Sequence, residues 1–555
     1  MKKNLTIILS FLILQGSFAQ TNFSKSSNAE KPKIINIINF IRLLEPRYKG
    51  RITEEILYQT VVNQLEMMKK YKLGGTFLLQ YDALMDSRYQ KLLKNLSKEY
   101  EIGAWWEIPQ PLVEKAGFKW RGRYPWDWHV NVGFSVGYTP EERKKLVDVY
   151  FEDFKKIFGY YPKSVGSWFV DEVTLNYMYE KYGIVASCNC RDQIGTDGYT
   201  LWGGYWNQAY YPSKINSYMP AQNSQNQIPV PIFRMLGSDH LREYDDGIKG
   251  EDRSKYWTLE PVLKNAGGDS AWVDWYFKDF VNDACINYGY IQAGQENPFT
   301  WEKMEKGFSI QIPLIAKLRD EKKIKVETLE ESGKWFKKNF KMTPPTSVSA
   351  LEKLNDDDRK TVWFDSRFYR ANIIWENNNL RIRDIHLFDE KLQSDYLKEK
   401  TDLTTCNYYT LPFVDGNMWS DSSHHAGLRL KTILNGKEVL LEGGIPVVSD
   451  SKKGQLHISW PLKNVDGNFI VDFDERGIQM KLESKKATEW FWDLTTAKNV
   501  QLPITKIGSN KIEGKVNNLN YYVDVTKGSI SVPAKEIVYR LTPEKGAVSL
   551  DFSKR

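Results

Sequence analysis

The chain has 555 residues, four cysteines and a formal net charge of +7, from 77 basic and 70 acidic side chains. That length supports two or more domains with ample core. Both signs of charge are mixed throughout with no concentrated basic tract, which argues against a nucleic-acid partner, and so few cysteines do not make a disulfide scaffold.

The first residues read as a leader rather than as fold. Lys2 and Lys3 precede an apolar run from Leu5 to Leu14, and Ser17-Phe18-Ala19 offers a small-residue cleavage site. The run is too short to span a bilayer, and nothing comparable follows. The sequence therefore predicts a signal peptide over residues 1–19, a disordered polar lead over 20–33, and an exported protein, periplasmic or secreted, with no transmembrane segment.

From residue 34 to 340, β-rich apolar runs alternate with amphipathic helices. Strands are expected at Ile34–Ile41, Gly75–Tyr81, Glu101–Ile108, Ser164–Val170, Ile184–Cys190, Val230–Leu236 and Tyr288–Gly294. Helices are expected at Glu54–Tyr71, at Leu92–Tyr100, and from Thr139-Pro-Glu-Glu142 to Phe158, where threonine, proline and an acid three residues on mark a capped start. A further helix follows Glu172 and stops at Gly183. Such alternation predicts parallel βα units closing into a barrel. Cys188 and Cys190 lie too close in sequence to bridge without strain and have no evident further zinc ligands, so they read as buried thiols.

Past Lys341-Met-Thr-Pro-Pro-Thr346, short alternating segments take over. Examples are Thr361–Phe364, Asn372–Trp375, Leu380–Ile385, Leu428–Ile433, His457–Trp460, Phe469–Phe473, Ile478–Leu482 and Tyr521–Val525, with turns such as Asn435-Gly436 and Asp466-Gly467. Residues 341–555 thus read as an antiparallel β-sandwich.

Aromatic residues make up 14% of the chain, and many stand beside planar polar groups. Sugars pair apolar C–H faces with hydroxyls, so clusters such as Trp120–His129 and Tyr199–Tyr211 favour a carbohydrate ligand, although aromatic packing in long barrel loops is the plainer reading of each single residue. Glycoside hydrolysis needs two carboxyl groups flanking the scissile bond. Candidates at the C-terminal ends of strands are Glu107, Asp171, Glu172, Asp239 and Glu296, with Asp82 and Glu45 behind them. Asp192 and Asp197 lie in a polar loop suited to sugar hydroxyls. Helix capping or a loop salt bridge would serve each acid equally well.

Pro162, then Trp168-Phe-Val-Asp171, then Tyr182-Gly-Ile184 resemble the Trp-x-Pro-Glu motif of glycoside hydrolase family 57, within the glycoside hydrolase/deacetylase superfamily of (β/α)7-type barrels. The wider chain also resembles secreted bacterial proteins that degrade glycans. Two departures are Val170 for the proline and Asp171 for the glutamate. The resemblance implies a retaining, metal-free glycosidase with Asp171 as nucleophile and Asp239, in Gly-Ser-Asp-His, as acid/base, with Glu107 and Glu172 as substitutes. Trp106, Trp120, Trp168, Trp202 and Arg234, together with Asp197 and Glu296, are the expected sugar contacts. No cofactor is expected. Metal-dependent deacetylases of the superfamily need an Asp and two His, and only His129 and His240 fall within the barrel. The expected partner is an oligo- or polysaccharide. The alternatives are a non-catalytic carbohydrate-binding barrel and a polysaccharide deacetylase.

Overall fold

The computed structural model describes residues 31–43, 50–248, 256–452 and 454–554. The expected leader, most of the polar lead and Glu45 lie outside the described residues. Within residues 31–555 the chain forms one compact unit.

Seven strands form a nearly closed parallel sheet: β1 (Lys33–Ile41), β2 (Gly75–Leu79), β3 (Tyr100–Trp105), β4 (Ser164–Gly166), β5 (Ala186–Asn189), β6 (Ile232–Arg234) and β7 (Gly289–Ala293). They run in the order β7-β1-β2-β3-β4-β5-β6, and every neighbouring pair is parallel. The short strand Lys325–Glu327 adds to β1. The seam between β6 and β7 is closed differently. The antiparallel segment Ala209–Tyr210 lines β6, and the Gln208 side chain stands in for a strand. Its Oε1 accepts from the Tyr290 backbone N–H at 3.0 Å, and its Nε2 donates to the Tyr290 carbonyl at 3.1 Å.

Side-chain alternation along these strands separates two cores. Ile34, Ile38, Phe40, Leu78, Trp105, Cys188, Phe233 and Tyr290 share the barrel interior. Their neighbours Ile35, Ile37, Ile41, Phe77, Leu79, Ala104 and Ile291 pack outward against the helices. The outer layer includes α1 (Glu54–Lys70), α2 (Pro140–Phe158), α3 (Glu172–Tyr182) and α4 (Trp301–Asp320). Helix α2 carries the expected capping box, with Thr139 and Glu142 bonding reciprocally, and α3 ends at Gly183 with φ +68°. The expected helix at Leu92–Tyr100 is displaced. Asp86 accepts from the Arg88 N–H and starts a helix at Ser87 that ends at Leu93, so Tyr100 is free to open β3. Helix α5 (Leu329–Asn339) plugs the N-terminal mouth, its Leu329 and Phe336 joining the interior cluster.

All four cysteines are unpaired and buried. A β-sandwich follows from Thr346, made of a ten-stranded and an eight-stranded sheet. The pairings within both are antiparallel; examples are Lys360–Asp365 on Tyr369–Glu376 and Gln455–Pro461 on Asn468–Phe473. Rings such as Phe364 and Phe473, 5.2 Å apart, fill the space between the sheets. No helix among the described residues is long and apolar enough to cross a membrane.

Candidate active site at the barrel mouth

The inward columns determine what stands at the C-terminal mouth. Phe40 and Trp105 stack at 4.2 Å and close the last filled layer. One alternation further on, the same columns bring Arg42 from β1, Gln80 from β2 and Glu107 from β3. Trp168, following β4, stands edge-on to Phe40 and Trp105 at 5.7 and 5.4 Å. Arg42 binds Glu107 through Nε at 2.7 Å and through Nη2, while its Nη1 reaches Glu296 beyond β7. Gln80 Nε2 also donates to Glu107. The guanidinium lies 5.4 Å from the Trp126 ring and 5.9 Å from Trp168. The backbone fixes this placement: Arg42 and Asn297 exchange N–H···Oδ1 and Nδ2–H···O=C bonds at 2.9 and 2.8 Å. Two carboxyl groups therefore sit one guanidinium apart, beside two tryptophans.

Further round, Arg191 after β5 pairs with Glu243 and lies 4.8 Å from the Tyr256 ring. Burial pushes Glu243 up to about 7, with Arg191 opposing. Glu260 accepts from Gln295 Nε2 at 3.1 Å.

The other expected site residues fall elsewhere. Asp171 caps α3. Its carboxylate accepts from the Thr174 N–H at 2.9 Å, from the Thr174 and Ser135 hydroxyls, and from Arg143 Nη1 at 3.0 Å. Burial raises this carboxyl, but Arg143 and those donors outweigh it, and the net displacement is downward. Neither it nor Arg143 is exposed, and Glu107 at the mouth is not exposed either. Asp239 is likewise buried, accepting from the N–H groups of Leu241 and Arg242, from Arg242 Nη1 and from Trp272 Nε1. Glu172 accepts from the Ser217 N–H at 3.2 Å, while its Oε1 has no partner among the described residues. Burial and then the Asp171 charge push it up to about 8.

Trp106 faces outward, edge-on to Tyr150 of α2 at 6.0 Å, because the alternation that turns Trp105 inward turns its neighbour away. Trp202 and Arg234 belong to a polar seam between barrel and sandwich. There Trp202 Nε1 donates to Asp415 at 2.9 Å, and Arg234 Nη2 donates to Asp192 at 2.7 Å. Asp192 also meets Arg370, which binds Asp384 through two 2.9 Å bonds. Asp197 sits exposed in a turn with φ +54°. Trp120 is half-buried, donating to the Tyr124 carbonyl.

Sequence reading missed Arg42, Gln80, Trp126, Arg191 and Glu243. Strand parity counted from Phe40 and from Leu78 offers a signal for Arg42 and Gln80.

The donors here do not fit the metal centre of a deacetylase. At the end of the first strand stands Arg42, a cation that cannot ligate a metal ion. His129 lies 3.9 Å from Asp127, whose oxygens are taken by Arg123. His240 is buried with Nδ1 facing Trp206 and Asn207. Among the described residues, no three His, Cys, Asp or Glu side chains are grouped to hold an ion.

No family model and no curated protein matches the chain. Among solved structures it is similar to a proposed glycoside hydrolase/deacetylase from Parabacteroides distasonis, with TM-score 0.50 and 14% identity over 68% of this chain and 88% of that one. Further similarities are to a proposed polysaccharide deacetylase from Mycobacterium smegmatis (TM-score 0.33, 11% identity, 56% and 92% covered) and to a 4-alpha-glucanotransferase from Thermococcus litoralis (TM-score 0.31, 10% identity, 94% and 97% covered). At 14% identity the likeness to the first is one of fold alone.

Proposed function

We propose that the protein is an exported, carbohydrate-active hydrolase that cleaves glycosidic bonds at the barrel mouth, using Glu107 and Glu296 as its carboxyl pair. The observation that carries this reading is the Glu107–Arg42–Glu296 bridge above the last filled layer, flanked by Trp126 and Trp168. Acid/base hydrolysis of a glycoside needs two carboxyl groups at a small, fixed separation. Arg42 sets that separation in the free protein and turns to sugar hydroxyls as substrate enters. One carboxyl then protonates the leaving oxygen, while the other attacks the anomeric carbon or deprotonates a water. The tryptophans supply flat faces for the ring. On this reading Asp171 and Asp239 are positioning residues that hold α3 and the loop after β6.

The test is product release from a panel of plant and host glycans by the native protein, Glu107→Gln, Glu296→Gln and Asp171→Asn. Each glutamine variant should remain folded and lose about 10²-fold or more in rate, while Asp171→Asn should lose activity only in step with its stability. Native rates in both glutamine variants would remove the pair from the chemistry. Binding of one glycan without product release would make the mouth a binding site instead.

A further inference from the structure

The outer face of the eight-stranded sheet carries a row of hydrogen-bonding side chains that the barrel chemistry does not use. Strand register aligns Ser449 with His457, His457 with Asp472, Asp472 with Gln479, and Gln479 with Ser549. These five residues occupy one cross-strand line over five successive strands, all on the solvent side. The residues between them, including Leu456, Ile458, Val471, Phe473, Ile478, Met480 and Leu550, turn inward to the sandwich core.

Four of the five, His457, Asp472, Gln479 and Ser549, line a hollow of about 590 Å³ together with Thr526. A second hollow of about 510 Å³ shares Gln455, Asp474 and Arg476 with it and extends to Phe340 and Pro345. His457 Nδ1 and Asp472 Oδ1 are 2.6 Å apart, and both side chains are 38% exposed, so the pair is fixed and still open to a ligand. Arg476 and Lys481 nearly balance Asp472, Asp474 and Asp551 around the first hollow, so no strong field selects an ion.

We propose that this row binds one linear, uncharged oligosaccharide lying across the strands. Neighbouring strands are about 4.8 Å apart, close to the length of one pyranose unit in an extended chain, so successive sugars meet successive strands. Amide, imidazole, carboxylate and hydroxyl groups in one line suit a ligand that repeats its hydroxyls at that interval. The site is independent of the hydrolytic reading of the barrel, since it shares no residue with it.

The test is calorimetric titration of the full chain with cello-, xylo-, manno- and malto-oligosaccharides of increasing length, and with oligogalacturonides as charged probes. Affinity for one neutral series should climb with each added sugar up to about five units, one per strand of the row, and then level off. The double variant Asp472→Ala/Gln479→Ala changes only surface positions and should bind that series at least tenfold more weakly. The same loss should appear when the double variant is made in the Glu107→Gln background, where the proposed hydrolysis is disabled, so that turnover of the titrant at the barrel mouth does not account for the signal. The single variant Ser549→Ala should give an intermediate loss. No binding of any neutral series, equal binding by the double variant, or a preference for the charged probes would overturn the proposal.

Discussion

Arg42 grips Glu107 with two nitrogens at once, Nε on Oε2 at 2.7 Å and Nη2 on Oε1, and Glu107 has no exposed surface. A pair held this way is expensive to break from one side, because the survivor keeps its charge without its partner.

Arg42→Ala should therefore cost about 3–5 kcal/mol of stability, measured by chemical denaturation. Glu107→Gln removes the charge and keeps the shape, with Gln80 still beside it, and should cost clearly less. An Arg42→Ala variant as stable as the native protein would show that the bridge does not form.

Glu172 gives a pH signature. Its carboxyl is raised to about 8 in the folded chain, against about 4.3 for an unperturbed glutamate. Between those values the unfolded chain has released its proton while the folded one still holds it, so this group's contribution falls as pH rises. Above about 8 both forms are ionised and the loss levels off. Asp171 acts oppositely, since its depressed carboxyl contributes stability above the unfolded value near 3.9 that is lost as pH falls. Glu172→Gln should flatten the decline from about pH 4.3 to 8 and leave the acid limb in place. An unchanged stability profile in that variant would contradict the assignment.

The barrel was legible in the sequence because its strands are continuous apolar runs between capped helices. Thr139 with Glu142 and Gly183 mark helix ends whose chemistry is local. The sandwich strands were legible for the same reason: Tyr521–Val525 lies inside the observed Leu519–Lys527, and His457–Trp460 inside Gln455–Pro461. The site was less legible. Glu107, Glu296 and Trp168 could be picked out as strand-end residues, but the cation that joins the two acids arrives from β1, more than sixty residues before the nearer of them. Asp171 and Asp239 carry the same local pattern as a catalytic acid. Only the arrival of Arg143 and Trp272 from distant segments shows their oxygens to be occupied. Trp202 and Arg234 look like sugar contacts in the sequence; in the fold Trp202 donates to Asp415 of the sandwich and Arg234 to Asp192.

Gln208 offers a test of how the barrel is closed. Its amide makes the two bonds that a neighbouring strand would make to Tyr290, and it is fully buried. Gln208→Leu leaves a buried N–H and a buried carbonyl at Tyr290 without these partners, which should cost about 2–4 kcal/mol in all. Amide hydrogen exchange should then show faster opening at Tyr290 than at Phe77 in β2, whose ladder is untouched. Equal protection at both positions, with native stability, would mean that another group closes the seam.

Arg370 decides how tightly barrel and sandwich are joined. It is fully buried, binds Asp384 through two nitrogens at 2.9 Å, meets Asp192 from the loop after β5, and donates to the Gly204 carbonyl at 2.9 Å. Burial raises Asp192, but Arg370 and Arg234 outweigh it and leave the carboxyl lowered. Arg370→Met removes the cation shared by the two halves, leaving buried Asp384 without its two-pronged partner and Asp192 with Arg234, Tyr218 and the Gly203 N–H, so the loss should exceed about 3 kcal/mol. Arg370→Lys keeps the charge but cannot reproduce the two-pronged contact with Asp384, and should fall between Arg370→Met and the native protein. Because the lost contacts span the two halves, calorimetric unfolding of Arg370→Met should split into two transitions where the native chain gives one. A single transition at the native temperature would show that the aromatic stack of Trp206 on Trp363, 3.8 Å apart and tilted by 3°, holds the halves together without the ion pairs.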